Sequence, residues 1–272
     1  MNTEAVTVIL AAGRGSRMKG FEGNKTLLPL IPGRSPFEGT HPILLHILRS
    51  LPPGPKAVVV NYKKEEVIDA TRGVALTYCE QPKLNGTGGA LLAAQKFIEK
   101  QECDTLIITM GDVPLVRSTT YQALIKNLED KSLVILAFRP ESKKQYGVLE
   151  IDRGNVCRIV EWKYWKRFSG ERQRVFEMCN SGIYAARKED LLRYLLVLAS
   201  RPHKVRKEID GKPAEMKEYF ITDLVEYMYE GGLAVGYMIA RNEEEVMGVD
   251  DAPSLVKAQQ IFRNTYPQPH SE

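Results

Sequence analysis

Cysteine is scarce in this chain and is not arranged for metal binding. The four cysteines among 272 residues are Cys79, Cys103, Cys157 and Cys179, which lie far apart along the sequence. No two of them have the close spacing of a zinc ligand pair, and a small disulfide-stapled scaffold carries more cysteine at shorter intervals. We therefore expect reduced, structural thiols.

Long hydrophobic runs are missing, and the N-terminus shows no leader pattern. A membrane-spanning helix needs about 20 consecutive apolar residues, and no run in the sequence approaches that length. The first residues, 1–4, carry neither a basic segment nor a small-residue cleavage site. These absences predict a soluble, cytoplasmic protein with no membrane partner.

A dense excess of positive charge is absent as well. The net charge is +4, which favours small anionic ligands but is far from the basic stripe of a nucleic-acid binder. Two basic stretches, 162–167 with interleaved aromatics and 201–207, are short, and we interpret both as solvated faces or parts of a substrate cleft. The composition, 43% hydrophobic and 26% charged, predicts an ordinary globular protein with no nucleic-acid partner.

The most informative stretch present is an apolar run followed by glycines. Residues 6–12 are continuously aliphatic or β-branched, as in a strand buried on both faces, and Gly13 and Gly15 follow at its end. Glycines there let backbone N–H groups approach an anion, and Arg17 and Lys25 add positive charge. The segment predicts a phosphate-binding loop, with a plain tight turn as the alternative.

Two common nucleotide loops do not fit this segment. A Walker A loop needs Gly-Lys-Ser/Thr after the glycine-rich run, whereas Ser16-Arg17 stands after Gly15. A Rossmann dinucleotide fingerprint needs a third glycine where Met18 stands, and an acidic residue where the next strand ends at Asn61-Tyr62. A hydride-transfer enzyme is therefore disfavoured.

Strand and helix patterns alternate, which predicts an α/β fold with a Rossmann-like, mostly parallel sheet flanked by helices. Strands are expected at 6–12, 57–60, 74–78, 106–110, 133–138, 148–151, 156–161, 176–186 and 234–240. Helices are expected at 43–48, 64–70, 118–127, 188–200, 219–229 and 253–264, with 33–40 and 201–207 as polar loops. The region from 146 onward is rich in strands and predicts a substrate-binding lobe on the same sheet.

Two further segments carry groups suited to a nucleotide. Gln81 precedes the glycine-rich helix entry 86–89, and its amide has the donor and acceptor needed to match a pyrimidine edge, although a glycine-rich turn is the simpler interpretation. Asp112 follows a central strand, where ligands of open α/β sheets bind. With triphosphate oxygens, Asp112 and Asp250 would form a Mg²⁺ site, unless Asp250 merely caps the final helix.

These residues together resemble the sugar-1-phosphate nucleotidyltransferase family, most closely the uridylyltransferase domains of bacterial N-acetylglucosamine-1-phosphate uridylyltransferases. The resemblance runs nearly end to end. It rests, in order, on Leu10-Ala11-Ala12-Gly13, Gly15-Ser16-Arg17-Met18, Lys25, Gln81 with Gly86-Thr87-Gly88, Gly111-Asp112-Val113-Pro114-Leu115, Tyr146-Gly147, Ile159-Val160-Glu161, Asn180-Ser181-Gly182-Ile183, Glu218-Tyr219-Phe220-Ile221-Thr222-Asp223 and Gly248-Val249-Asp250.

The resemblance implies a role for each group of residues. Catalytic residues would be Arg17, Lys25 and Asp112, and the Mg²⁺ cofactor would be held by Asp112 and Asp250. Nucleotide-binding residues would be Leu10, Ala11, Ala12, Gly13, Gly15, Gln81, Gly86 and Thr87. Sugar-binding residues would be Gly147, Glu161, Asn180, Glu218 and Thr222. One domain, 1–272, would comprise a nucleotide-binding half, 1–115, and a sugar-binding half with the C-terminal helix, 116–272.

The implied reaction is Mg²⁺-dependent transfer of a uridylyl group from UTP to a sugar 1-phosphate, with N-acetylglucosamine 1-phosphate as the first choice. Glucose 1-phosphate, dTTP or CTP are alternative substrates, and a non-catalytic regulatory protein that binds nucleotide sugars is an alternative from another class. Three departures from the family pattern, Gly89, Met110 and Phe220, leave the sugar open. The oligomeric state is not predicted.

Overall fold

The computed structural model describes residues 4–209 and 212–266. The strands are β1 (Val6–Leu10), β2 (Pro29–Pro32), β3 (Gly39–Pro42), β4 (Lys56–Val60), β5 (Thr77–Glu80), β6 (Thr105–Met110), β7 (Leu133–Phe138), β8 (Val148–Asp152), β9 (Asn155–Val160), β10 (Cys179–Arg187), β11 (His203–Ile209), β12 (Lys212–Glu218) and β13 (Val235–Ile239). The helices are α1 (Ile43–Ser50), α2 (Lys64–Ala70), α3 (Thr87–Ala93), α4 (Gln95–Glu99), α5 (Ser118–Lys126), α6 (Trp162–Trp165), α7 (Gly170–Val175), α8 (Lys188–Ser200), α9 (Asp223–Glu230) and α10 (Ala252–Thr265), with a 3-10 helix at Lys25–Leu27.

The main sheet has the order β13-β7-β10-β6-β1-β4-β5. β1 pairs in parallel with β4 and β6, β4 with β5, and β7 with β13. β10 runs antiparallel between β6 and β7 and also meets β8, which forms a hairpin with β9. The predicted α/β fold with a mostly parallel sheet flanked by helices is therefore confirmed.

The continuous apolar strands are explained by helices on both faces of the sheet. Ile9 of β1 joins a core with α1, α5 and α10, whereas Val6 and Val8 join a core on the other face with α3, α8 and α9. Every residue of β1 and β7 is buried. Because each strand is covered on both sides, its sequence has no polar alternation.

Some predicted boundaries are wrong. The strand expected at 74–78 lies at Thr77–Glu80, and the helix expected at 219–229 begins only at Asp223. The polar loop expected at 33–40 ends in β3, which pairs with β2 in a small antiparallel sheet. The errors arise where exposed or proline-containing backbone forms hydrogen bonds that an apolar pattern does not indicate.

The basic stretch 201–207, expected as a loop, enters a separate hairpin in which β11 pairs with β12. Lys204, Arg206 and Glu215 are exposed there, so the strand pair presents few apolar residues to a core. Within the described residues, no helix is both long enough and apolar enough to cross a bilayer.

Strand direction places the ends of several strands at one edge of the sheet. β1, β4, β5 and β6 are mutually parallel, so their carboxyl ends share an edge. Because β10 is antiparallel to β6, its amino end reaches the same edge, and a Cβ on Gly182 would lie 3.0 Å from Cγ of Met110. This is the edge at which open α/β sheets bind ligands.

Candidate active site

The loop after β1 is a tight glycine turn that lies against the stem of Lys25. Gly15 has a φ of +62°, and the N–H of Met18 donates to its carbonyl over 2.8 Å. A Cβ on Gly15 would lie 3.0 Å from Cδ of Lys25, whereas a Cβ on Gly13 would meet nothing within 4 Å. The backbone beside Gly13 is thus open to a ligand, and Gly15 allows Lys25 to approach.

Four charged side chains meet at this edge. Nζ of Lys25 contacts Oδ2 of Asp112 and lies 3.2 Å from Oδ1 of Asp250, and Nη2 of Arg17 lies 2.9 Å from the same oxygen. The side chains of Lys25 and Asp112 are only 13% and 14% exposed, whereas that of Arg17 is 65% exposed. The cluster therefore has a buried pair at its base and an exposed cation, Arg17, at its mouth.

The charge state of Lys25 follows from these contacts. Burial alone lowers its pKa, but the charges of Asp112 and Asp250 and the hydrogen bonds to both carboxylates outweigh burial and raise the pKa above its ordinary value. These contacts favour the protonated form of Lys25, which can neutralise phosphate oxygens.

Backbone bonds hold Asp112 beside both the phosphate loop and the Asp250 segment. The N–H of Gly111 donates to the carbonyl of Leu10 over 2.9 Å, and the N–H of Val249 donates to the carbonyl of Asp112 over 2.8 Å. A Cβ on Gly111 would lie 3.0 Å from Cβ of Ala11, so glycine permits the close approach of these strand ends.

Asp251, and not Asp250, caps the final helix. The Asp251 side chain accepts from the N–H of Ser254 over 2.9 Å, and Oγ of Ser254 accepts from the N–H of Asp251, which completes a capping box. Hydrogen bonds to Ser254 lower the pKa of Asp251. The cap interpretation of Asp250 is therefore wrong, and its carboxylate is free to face Lys25 and Arg17.

Asn24, which the sequence reasoning missed, anchors the helical turn that carries Lys25. Its Oδ1 accepts from the N–H of Thr26 over 3.0 Å, and its Nδ2 donates to the carbonyl of Tyr62 over 2.8 Å. Its own N–H donates to Oε2 of Glu66 on α2 over 3.0 Å. Asn is a favoured capping residue, so the cap was visible in the sequence, but the partner on α2 was not.

Gln81 lies at the end of β5 with its amide held from two sides. Nε2 donates to Oδ1 of Asn85 over 2.9 Å and to the carbonyl of Gly86 over 3.1 Å. Nδ2 of Asn61 donates to the main-chain carbonyl of Gln81 over 2.7 Å. The residue is only 3% exposed. Sequence reasoning indicated Gln81 but gave no reason to select Asn61 or Asn85.

The glycine-rich entry of α3 packs directly on the segment after β12. The N–H of Gly88 donates to the carbonyl of Tyr219 over 2.8 Å, and a Cβ on Gly86 would overlap that same carbonyl. Oγ1 of Thr87 accepts from the N–H of Ile221 over 3.2 Å. The predicted nucleotide-binding and sugar-binding segments are therefore in contact.

The residues predicted to bind sugar form two local pairs. Oγ1 of Thr222 donates to Oε1 of Glu161 over 2.9 Å, and the N–H of Asn180 donates to the carbonyl of Gly147 over 2.9 Å. Burial raises the pKa of Glu161, against the hydrogen bond from Thr222. Glu218 is buried at the end of β12, next to the segment that packs on α3.

The side chain of Asn180 is used mostly within the protein. Its Nδ2 donates to Oη of Tyr184 over 2.8 Å, and its Oδ1 accepts from the N–H of Gly182 over 3.0 Å. The Asn180 side chain therefore stabilises the amino end of β10, which was not expected from the sequence.

A mostly parallel sheet brings a glycine loop, a buried lysine–carboxylate pair and a glutamine-led helix entry to one edge. This is the arrangement typical of an α/β nucleotide-binding enzyme. Residues 7–200 match the MobA-like NTP transferase domain. The chain belongs to that family. The nucleotidyltransferase class predicted from the sequence is confirmed.

Relatives extend the match across the chain. The bifunctional protein GlmU of Novosphingobium aromaticivorans is 31% identical over 265 residues, which are 95% of this chain and 53% of that protein. The bifunctional protein GlmU of Sphingopyxis alaskensis is 32% identical over 272 residues, or 97% of this chain and 54% of that one. The chain thus spans about half the length of these relatives.

Two solved structures support the fold. A putative glucose-1-phosphate thymidylyltransferase from Bacillus anthracis superposes with a TM-score of 0.68 at 19% identity, covering 98% of each chain. The uridine diphosphate N-acetylglucosamine pyrophosphorylase from Trypanosoma brucei gives 0.71 at 14% identity, covering 94% of this chain and 65% of that one. At these identities the likeness concerns the fold alone.

Proposed function

We propose that the protein transfers a uridylyl group from UTP to a sugar 1-phosphate, with N-acetylglucosamine 1-phosphate as the first acceptor to test. The observation that carries the proposal is the cluster of Lys25, Asp112, Asp250 and Arg17 beside the open backbone of Gly13. In this reaction a phosphate oxygen of the sugar phosphate attacks the α-phosphorus of UTP, the bond to the β-phosphate breaks and pyrophosphate leaves.

The chain would act on this reaction by positioning and charge neutralisation. Backbone N–H groups of residues 12–15 would hold the triphosphate, as in other anion-binding loops. Lys25, whose helical turn is capped by Asn24, would neutralise charge that develops at the reacting phosphorus. Exposed Arg17 would neutralise charge on the leaving pyrophosphate. No side chain needs to form a covalent bond.

The carboxylates also fit a Mg²⁺ cofactor. Asp112 and Asp250 both contact Nζ of Lys25, so two hard oxygen donors already converge on one positive charge. Mg²⁺ in nucleotide sites is commonly held by one or two carboxylates with substrate oxygens and water, so this pair would suffice. When bound, the ion would reduce repulsion between the two phosphate substrates.

The nucleobase preference is supported by the orientation of Gln81. The carbonyl of Gly86 can only accept, so the side of the Gln81 amide that faces it must be the NH₂ group. Among the described residues no donor pairs with Oε1 of Gln81, and N3–H of uracil is a donor of the right kind. Cytosine presents an acceptor at that position.

Glu161, Thr222, Gly147, Asn180 and Glu218 would form the acceptor side of the site. Thr222 and Glu161 line a cavity of about 500 Å³ together with Phe220, Lys163 and His203. The contact of Thr87 with Ile221 would bring this cavity next to the nucleotide. On this proposal residues 1–115 supply the nucleotide groups and 116–272 the sugar groups.

Other acceptors and a non-catalytic role remain the alternatives to be tested. The alternative donors dTTP and CTP would use the same triphosphate cluster, and only CTP presents a different pattern to Oε1 of Gln81. The alternative acceptor glucose 1-phosphate would be distinguished in the cavity beside Glu161. A regulatory nucleotide-sugar binder would have no need for a buried lysine tied to two carboxylates, which favours the enzyme.

The test is pyrophosphate release, measured with UTP, dTTP, CTP, ATP and GTP, each crossed with several sugar 1-phosphates, with and without Mg²⁺. The proposal predicts the fastest release for UTP with N-acetylglucosamine 1-phosphate and none without divalent metal. Folded protein that releases no pyrophosphate with any pair would contradict an enzymatic function. A faster reaction with another pair would correct the substrate.

A further inference from the structure

We infer that Asn85 is a positioning residue that sets the nucleobase choice by locking the side-chain amide of Gln81. The inference rests on the proposed function, because it explains how that site distinguishes a uracil-type base from cytosine. Asn85 would act through its neighbour Gln81 and not on the base directly.

The lock consists of two hydrogen bonds from one NH₂ group. Nε2 of Gln81 donates to Oδ1 of Asn85 over 2.9 Å and to the carbonyl of Gly86 over 3.1 Å. Both amide hydrogens are thereby used inside the protein. The acceptor Oε1 is the group of Gln81 left to meet a base, and the residue is 3% exposed, so a mispaired base there would have no water to compensate it.

Gly89 provides the space that Asn85 needs. A Cβ on Gly89 would overlap Oδ1 of Asn85, so even alanine at this position would displace the amide. Gly89 lies in the first turn of α3 with a helical backbone, and its φ is not positive. The absence of a side chain there is therefore explained by the room it gives Asn85 and not by backbone conformation.

The direction of selectivity follows from the donor and acceptor pattern of the bases. Uracil and thymine carry N3–H, which can donate to Oε1 of Gln81, whereas N3 of cytosine is an acceptor and would face that oxygen with no proton between them. If Asn85 is removed, one hydrogen of Nε2 loses its partner, and only the bond to the carbonyl of Gly86 still opposes the rotation that would offer Nε2 to cytosine. Asn85 therefore strengthens the exclusion of cytosine by opposing this rotation together with Gly86.

The experiment compares kcat/KM for UTP with kcat/KM for CTP at a saturating sugar 1-phosphate. Asn85→Ala should lower the UTP-to-CTP ratio by about tenfold or more, the value of one mispaired buried hydrogen bond. Asn85→Asp keeps an oxygen that accepts from Nε2 and should retain most of the ratio. Lys83→Ala, an exposed neighbour on the same loop, is the matched control and should leave the ratio unchanged.

Gly89→Ala gives an independent arm if Asn85→Ala does not fold. Because the added methyl displaces Oδ1 of Asn85, it should reduce the ratio in the same way. The double variant should be no worse than either single variant, since both remove the same hydrogen bond. Losses that multiply in the double variant would show that the two residues act separately and would contradict the lock.

The outcomes separate this inference from the function on which it rests. An active Asn85→Ala enzyme with the wild-type ratio would overturn the inference and leave the transferase intact. If wild-type protein transfers no nucleotide, the proposed function fails. The role of Asn85 is then tested by calorimetry, as the ratio of UTP affinity to CTP affinity in the same variants.

Discussion

Lys25 is the residue on which the proposed chemistry depends most. It is 13% exposed and lies between Asp112 and Asp250. Lys25→Ala should reduce transition-state stabilisation by about 2–4 kcal/mol, as removal of one preorganised electrostatic group does elsewhere. The measurement is kcat/KM for UTP in Lys25→Ala and in Lys25→Met. The second variant removes the charge but retains an unbranched apolar side chain.

The same variants make a prediction about stability. Without Lys25 the two carboxylates repel each other, so the melting temperature should fall in metal-free buffer and recover when Mg²⁺ is added. Full activity of Lys25→Ala at low UTP would mean that the loop after β1 binds no phosphate and is only a tight turn.

Asp250 and Asp251 are adjacent but have separable roles. Asp251→Ala removes a helix cap and should lower the free energy of unfolding by about 0.5–2 kcal/mol, with an unchanged Mg²⁺ requirement. Asp250→Asn keeps an oxygen ligand but removes a charge, so turnover should need more Mg²⁺ while the melting temperature changes little. The check is a Mg²⁺ titration of activity beside thermal denaturation. A higher Mg²⁺ requirement in Asp251→Ala, together with a loss of stability in Asp250→Asn, would show that the two roles are reversed.

At the scale of elements, α10 is held against β2 by the side-chain amide of one buried residue. Nε2 of Gln259 donates to the carbonyls of Pro29 and Pro36, each over 2.8 Å, and the residue is 3% exposed. Gln259→Ala should lower the free energy of unfolding by about 1–3 kcal/mol because the buried carbonyl of Pro29 loses its donor in the interior. Urea denaturation measures the loss, and exposed Gln260→Ala is the control. Equal stability of the two variants would contradict this role.

The elements also show what the sequence could predict and what it could not. β1 and β6 were predictable because strands buried on both faces are continuously apolar, and Lys25 could be placed near Asp112 because parallel strands end at one edge. The β11–β12 hairpin was not predictable, since its exposed residues give no apolar alternation. The bond between Asn24 and Glu66 joins residues 42 positions apart, and no local pattern encodes it.

At the scale of the whole molecule, the junction of α1 with the C-terminal helix should make stability depend on pH. His46 packs against the rings of Phe262 and Tyr266, and burial, together with the charges of His41 and Arg49, lowers its pKa to about 4. The unfolded chain, with a histidine pKa of about 6.5, therefore binds more protons below that pH. Stability should fall as the pH decreases from about 6.5 towards 4.

The size of this effect can be measured with one variant. Wild-type protein should lose on the order of 2 kcal/mol of unfolding free energy between pH 7 and pH 5 through His46, since one pKa unit is worth about 1.4 kcal/mol. Over the same pH range, the unfolding free energy of His46→Leu should fall by about 2 kcal/mol less than that of the wild type. Parallel pH profiles of the two proteins in urea denaturation would show that His46 does not titrate as its surroundings indicate.

The central claim is that the shared sheet edge carries out nucleotidyl transfer to a sugar 1-phosphate, and transfer of a labelled α-phosphate tests it most directly. UTP labelled at the α-phosphorus is incubated with N-acetylglucosamine 1-phosphate and Mg²⁺, using wild-type protein and Asp112→Asn. We expect label in a UDP-sugar, one unlabelled pyrophosphate released per sugar nucleotide formed, and loss of both products in Asp112→Asn. Label that stays in UTP or appears only as UMP with folded wild-type protein would contradict it.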